Sequence, residues 1–116
     1  MIFIQYETCS TCKKAKKWLD EHGISYTDRP IKEEHPSAAE LKEWRAKSGL
    51  PLKRFFNTSG ILYREMKLKD KLSGMSDEEQ YELLASDGML VKRPIVVTDD
   101  AVLVGFREKE WEETLL

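Results

Sequence analysis

Apolar and polar positions change period several times along this chain, and each change marks an element. Met1-Ile2-Phe3-Ile4-Gln5-Tyr6 is a nearly continuous run of strand formers, the pattern of a strand covered on both faces. After Glu7-Thr8 the spacing becomes helical. Ala15, Trp18 and Leu19 share one face between Ser10 and His22, lysines occupy the other, and Gly23 stands where a helix ends. Ile24–Thr27 alternates as a strand does and stops at Asp28-Arg29-Pro30. A second helix is predicted from Ser37 to Gly49, with Leu41 and Trp44 on its apolar face.

From Leu50 to Leu72 the pattern has no single period. Phe55-Phe56 and Leu62-Tyr63 are expected inside, and Asn57-Thr58-Ser59-Gly60 is expected to turn. Ser76 and Glu79 stand three apart, as a capping box requires, so a helix is predicted from there to about Asp87-Gly88. Pro94 opens the strand Ile95-Val96-Val97-Thr98, Asp99-Asp100 turns the chain, and Ala101–Gly105 returns. Glu108–Leu116 is a closing helix. A βαβ unit followed by a ββα unit is the thioredoxin-like arrangement of an α/β fold. The expected organisation is one domain over residues 1–116, with a helical insertion at about 37–88 between the halves.

Composition narrows the classes. Hydrophobic residues make up 41% and charged residues 34% of the chain, which excludes disorder. No apolar run approaches the roughly 20 residues that cross a bilayer. Met1–Tyr6 is too short for the core of a leader, so the expected location is the cytoplasm. Formal net charge is −2, and acidic neighbours dilute both lysine-rich stretches, 13–17 and 67–71; direct nucleic-acid binding is not expected.

The candidate chemistry is Cys9-Ser10-Thr11-Cys12, between the first strand and the first helix. Amides at a helix N-terminus favour thiolate over thiol, and a three-residue separation on a helical turn brings two sulfurs within disulfide reach. Cys9, at the mouth of the turn, is expected to be the more exposed. Two other readings compete. A zinc half-site would need two more ligands, and His22 and His35 lie far apart; alternatively, both cysteines simply pack. Arg93-Pro94 sits where redox proteins of this fold place a cis-proline opposite the cysteines, against the alternative of an ordinary trans proline bounding a loop. No cofactor and no metal are expected.

The segments Cys9-Ser10-Thr11-Cys12-Lys13-Lys14-Ala15, Phe56-Asn57-Thr58-Ser59-Gly60, Lys92-Arg93-Pro94-Ile95-Val96-Val97 and Gly105-Phe106-Arg107 resemble the arsenate reductase/Spx family over nearly the whole chain. The resemblance implies that Cys9 is a nucleophile towards an oxyanion, with three arginines holding the anion and lowering the thiol pKa. Arg93 and Arg107 match two of those positions, and Arg64, after the Asn-Thr-Ser-Gly turn, matches the third less closely. Each could instead be a solvated or salt-bridged arginine. Arginine suits the role because it is permanently charged and offers planar donors to an oxyanion or a thiolate.

The sequence departs from the glutaredoxin-linked reductases, which rely on one active-site cysteine with a histidine shortly before it. Here Gln5 stands in the upstream strand, and Cys12 offers an internal resolving thiol. Two functions therefore stand side by side. One is a thiol-dependent oxidoreductase, Cys9 attacking and Cys12 resolving, re-reduced by thioredoxin or by glutathione/glutaredoxin. The other is an Spx-like redox-sensing transcriptional regulator that binds RNA polymerase through its alpha subunit.

Overall fold

The computed structural model describes residues 1–116. Its centre is a four-stranded sheet in the order β2-β1-β3-β4, built from β1 (Ile2–Gln5), β2 (Thr27–Pro30), β3 (Ile95–Val97) and β4 (Val102–Val104). β1 runs parallel to β2 and antiparallel to β3, and β3 and β4 form the hairpin.

Strand alternation divides the core into two clusters. Phe3, Val96 and Leu103 lie side by side across three strands. On their face they pack with Ala15, Trp18 and Leu19 of α1 (Ser10–Glu21) and Trp111 of α6 (Glu108–Leu115). The neighbouring row, Ile4, Ile95 and Val104, faces the other way. It meets Leu41 and Trp44 of α2 (Ala38–Ser48), Tyr81 and Leu84 of α5 (Asp77–Ser86), and Phe55 and Phe56. Helices thus cover both faces of the sheet in a thioredoxin-like fold, and no helix is long and apolar enough to cross a membrane.

The second strand is shifted from its expected position. It spans Thr27–Pro30, not Ile24–Thr27, because Ile24 and Tyr26 pack against the Phe3–Trp111 cluster and the Tyr26 ring stands edge-on to Phe3 at 5.3 Å. Pairing with β1 begins only at Thr27, opposite Ile2. The predicted capping box forms at Ser76/Glu79, and a second, not predicted, forms at Ser37/Glu40. The stretch without a clear period contains a 3-10 turn (Leu52–Phe55) and two short helices, α3 (Ile61–Glu65) and α4 (Leu68–Lys71). Phe55, Phe56 and Tyr63 are buried there, whereas Leu62 is only partly so.

A forked ion pair ties α2 to the sheet edge: Arg29 Nη1 and Nη2 donate to Glu40 at 2.6 and 2.8 Å. The Arg29 hydrogen bonds, aided by the Ser37 amide and opposed by partial burial, hold the Glu40 carboxyl at about 2. A depressed carboxylate contributes stability above its unfolded value, and that contribution disappears as the pH falls from about 4.3. Urea unfolding at stepped pH should therefore show acid destabilisation between about 4.3 and 2 that Glu40→Gln largely removes; parallel curves for the two proteins would refute it. Gly88, in a 3-10 turn before β3, lies against the Ile31 carbonyl, which any Cβ would overlap. Gly88→Ala should cost about 3 kcal/mol by the same method, since backbone cannot yield as a side chain does.

Candidate thiol and anion site

The site forms where β1 hands the chain to α1. The Cys9 amide donates to the Tyr6 carbonyl at 3.0 Å, closing the turn, and the Lys13 amide donates to the Cys9 carbonyl at 3.0 Å, starting the helix. Cys9 is thus the extended N-cap residue of α1, and Cys12 lies in the first turn. Both thiols are free; Cys9 is half-buried, and Cys12 is 1% exposed. The Tyr6 amide donates to Cys12 Sγ at 3.4 Å.

The two sulfurs differ in acidity. Burial opposes the Cys9 thiolate, but the Cys12 amide and thiol, the Arg93 guanidinium and the Thr11 amide outweigh it and lower the pKa below that of an ordinary cysteine. Burial dominates at Cys12. Together with the neighbouring Cys9 sulfur, it pushes that thiol up to about 12, despite the Tyr6 amide and Arg93. A sulfur of lowered pKa beside one of raised pKa is the asymmetry that an attacking and a resolving cysteine use.

Arg93 reaches the same end of the sheet from the segment before β3, the antiparallel neighbour of β1. Phe56 and Val91 make a β-bridge, and the Lys92 amide donates to the Phe55 carbonyl at 2.8 Å. The Arg93–Pro94 peptide bond is cis, and the Pro94 carbonyl accepts from the Gly105 amide at 2.8 Å. The Arg93 guanidinium lies 4.9 Å from the centre of the Tyr6 ring. Its Nε and Nη1 are buried and have no hydrogen-bond partner. Buried guanidinium donors are costly to leave unpaired, so this arrangement suits an incoming anion.

Arg93 and Arg107 border one cleft of about 240 Å³, which the cysteine turn reaches through Thr11. Arg107 is exposed at the N-cap of α6, behind Phe106, whose ring packs edge-on against Trp111 at 4.8 Å. Arg64 is exposed on α3 and lines neither of the two clefts that Arg93 borders. The second of those clefts, about 560 Å³, runs past Tyr6 and Asn57 to Ile61, Leu62 and Met89. His22 and His35 are exposed and line neither, and no three His, Cys, Asp or Glu side chains converge to hold a metal. Sequence reading missed Arg54 and Lys92, which share the 240 Å³ cleft with Arg93 and Arg107. The only local signal was the dipeptide Lys53-Arg54 before the Phe-Phe-Asn segment.

A thiol pair at the start of the first helix, faced by arginines from the ββα half, defines a protein of the thioredoxin-like class. The chain belongs to the ArsC family, whose model matches residues 4–114. It is 56% identical over 113 residues to the uncharacterized protein YusI of Bacillus subtilis, covering 97% of this chain and 96% of that one. To the global transcriptional regulator Spx of Staphylococcus epidermidis it is 31% identical, over 89% of this chain and 77% of that protein. The solved arsenate reductase of Vibrio cholerae superposes with a TM-score of 0.87 at 27% identity, covering 98% of this chain and 96% of that one.

The acidity difference can be read directly. Thiolate absorbance in a pH titration should show two separate steps, Cys9 below an ordinary cysteine and Cys12 at about 12. Arg93→Gln should move the first step upward by removing the guanidinium charge. Two thiols titrating together near the free-cysteine value would contradict the asymmetry.

Proposed function

We propose that the chain is a thiol-dependent oxidoreductase in which Cys9 attacks, Cys12 resolves, and Arg93 with Arg107 holds the substrate's negative charge. The observation that carries this reading is the Arg93 guanidinium, whose charge lowers the Cys9 pKa and whose Nε and Nη1 are buried without partners. A guanidinium placed there lowers the barrier wherever negative charge develops next to the sulfur.

With arsenate, the Cys9 thiolate would displace a hydroxyl from arsenic(V), leaving as water after protonation, and form a sulfur–arsenic bond. Cys12, losing its proton, would then attack the Cys9 sulfur. The sulfur–arsenic electron pair would stay with arsenic, which leaves as arsenic(III), while the cysteines lose two electrons and close a disulfide. Thioredoxin or glutathione/glutaredoxin would return the pair to the thiols. Arg64 enters this reading only as an auxiliary, since it borders neither Arg93 cleft.

The relation to Spx supports a second reading, in which the same disulfide regulates binding to the alpha subunit of RNA polymerase. The decisive assay is arsenate-dependent NADPH oxidation, coupled in parallel to thioredoxin and to glutathione/glutaredoxin. Turnover should vanish in Cys9→Ser and fall about 100-fold or more in Arg93→Gln, the size expected for losing one charge-stabilising donor. With thioredoxin coupling, Cys12→Ser should stop after forming the Cys9 adduct. No turnover in either system, with the Cys9–Cys12 disulfide still forming reversibly, would reject arsenate reduction and advance the regulator.

A further inference from the structure

A second cluster of cations lies beside the site just described. Lys53, Arg54 and Lys92 line a cleft of about 300 Å³ whose floor includes Phe56 and Thr58. Arg54 and Lys92 also border the Arg93–Arg107 cleft, so the two hollows lie side by side and share these two side chains as a wall. None of these five cationic side chains takes part in an ion pair, although the chain carries 21 acidic residues. Arg29 and Arg45, by contrast, are each bound to a carboxylate at 2.6 and 2.8 Å.

Backbone geometry keeps the cations together. The Lys92 amide is bonded to the Phe55 carbonyl, next to Arg54, and Phe56 is bridged to Val91. The Lys92 stem passes over Gly105, where Cε would lie 3.5 Å from any added Cβ. Like charges held close by pairing that their side chains do not share repel one another, and a bound anion relieves that repulsion. A single small oxyanion placed on Arg93 would leave Lys53, at the far wall of the neighbouring cleft, without a counter-charge.

We propose that the Lys53–Arg54–Lys92 cleft is a second anion subsite, which holds the remote carboxylate or phosphate of a low-molecular-weight disulfide while its reacting sulfur lies at Cys9. This inference rests on the thiol-oxidoreductase reading and specifies its substrate class. Cys9 thiolate attacks the near sulfur; a new sulfur–sulfur bond forms, the original one breaks, and one thiolate leaves and takes a proton from solvent. Cys12 gives up its proton and displaces the second thiolate from Cys9. The substrate gains two electrons and becomes two thiols, and the protein loses two and becomes the Cys9–Cys12 disulfide.

The test is a single-turnover reaction of the reduced full chain with two chromogenic disulfides. Dithiobis(nitrobenzoate) carries a carboxylate on each ring, and dithiodipyridine carries none. The readout is the ratio of their second-order rate constants, in which general changes in thiol reactivity cancel. In Lys53→Gln/Arg54→Gln the ratio should fall on the order of tenfold, and added salt should lower the wild-type ratio towards the same value. Lys53→Arg/Arg54→Lys should restore it, and Lys17→Gln, which removes an exposed charge on α1, should leave it alone. An unchanged ratio in the double Gln variant, or an equal fall in Lys17→Gln, overturns the subsite while leaving the thiol reading intact. Chromophore release that persists at full rate in Cys9→Ser overturns both. Far-ultraviolet circular dichroism of each variant shows that the fold is retained.

Discussion

The site depends on one constraint: the first strand is sealed from water on both faces. Phe3 points into one cluster and Ile4 into the other, both fully buried, so β1 cannot slip by a residue without turning each row of side chains the wrong way. That fixed strand aims the chain at the turn that starts α1. The antiparallel partner β3 begins directly after Arg93-Pro94, so the register Ile4–Ile95 also fixes the distance between the arginine and the thiols. The chemistry at the end of the sheet inherits its precision from hydrophobic packing in the middle.

Electrostatics at the site differs from that at the sheet edge and on α2, where Arg29 is matched by Glu40 and Arg45 by Asp77. Around the cysteines the cations are unmatched, and two nitrogens of Arg93 are desolvated as well. Folding tolerates this because the segments involved are anchored by other means: the cis-peptide junction and its Gly105 hydrogen bond, the Phe56–Val91 bridge, and the Phe106–Trp111 aromatic contact. Local instability accepted at one end of a well-packed fold is a common mark of a binding surface.

Much of this was legible in the sequence. Three strands, the first helix and the Ser76/Glu79 capping box leave local marks: runs of strand formers, a 3.6-residue spacing, and a Ser paired with a Glu three residues on. β2 was misplaced because Ile24 and Tyr26 look like the strand when they are in fact the plug beneath it, while the true strand, Thr-Asp-Arg-Pro, is a polar edge. The short helices between 61 and 74 were not legible, since their form follows from burying Tyr63 and Leu68 and not from periodicity. Cys9, Cys12 and Arg93 were singled out through their positions beside strands and a proline, and the structure brings them to one end of the sheet. Arg54 and Lys92 escaped because their meeting depends on a β-bridge between distant segments, which no local pattern records. Arg64 had a motif to recommend it, yet the turn leaves it facing water on α3.

The unequal acidities of the two thiols have a consequence for timing. With its pKa pushed up to about 12, Cys12 stays a thiol at neutral pH, which keeps it from competing for substrate. Burial is the main reason, but the charge and hydrogen bond of the neighbouring Cys9 sulfur are also among the causes. In the proposed reaction, attack by Cys9 converts that sulfur from a thiolate into a neutral covalent adduct. The adjacent negative charge disappears, and ionising Cys12 becomes less costly at the moment a resolving thiolate is first useful. The order of events is thereby set by the pair itself: the second cysteine is held silent until the first has been spent.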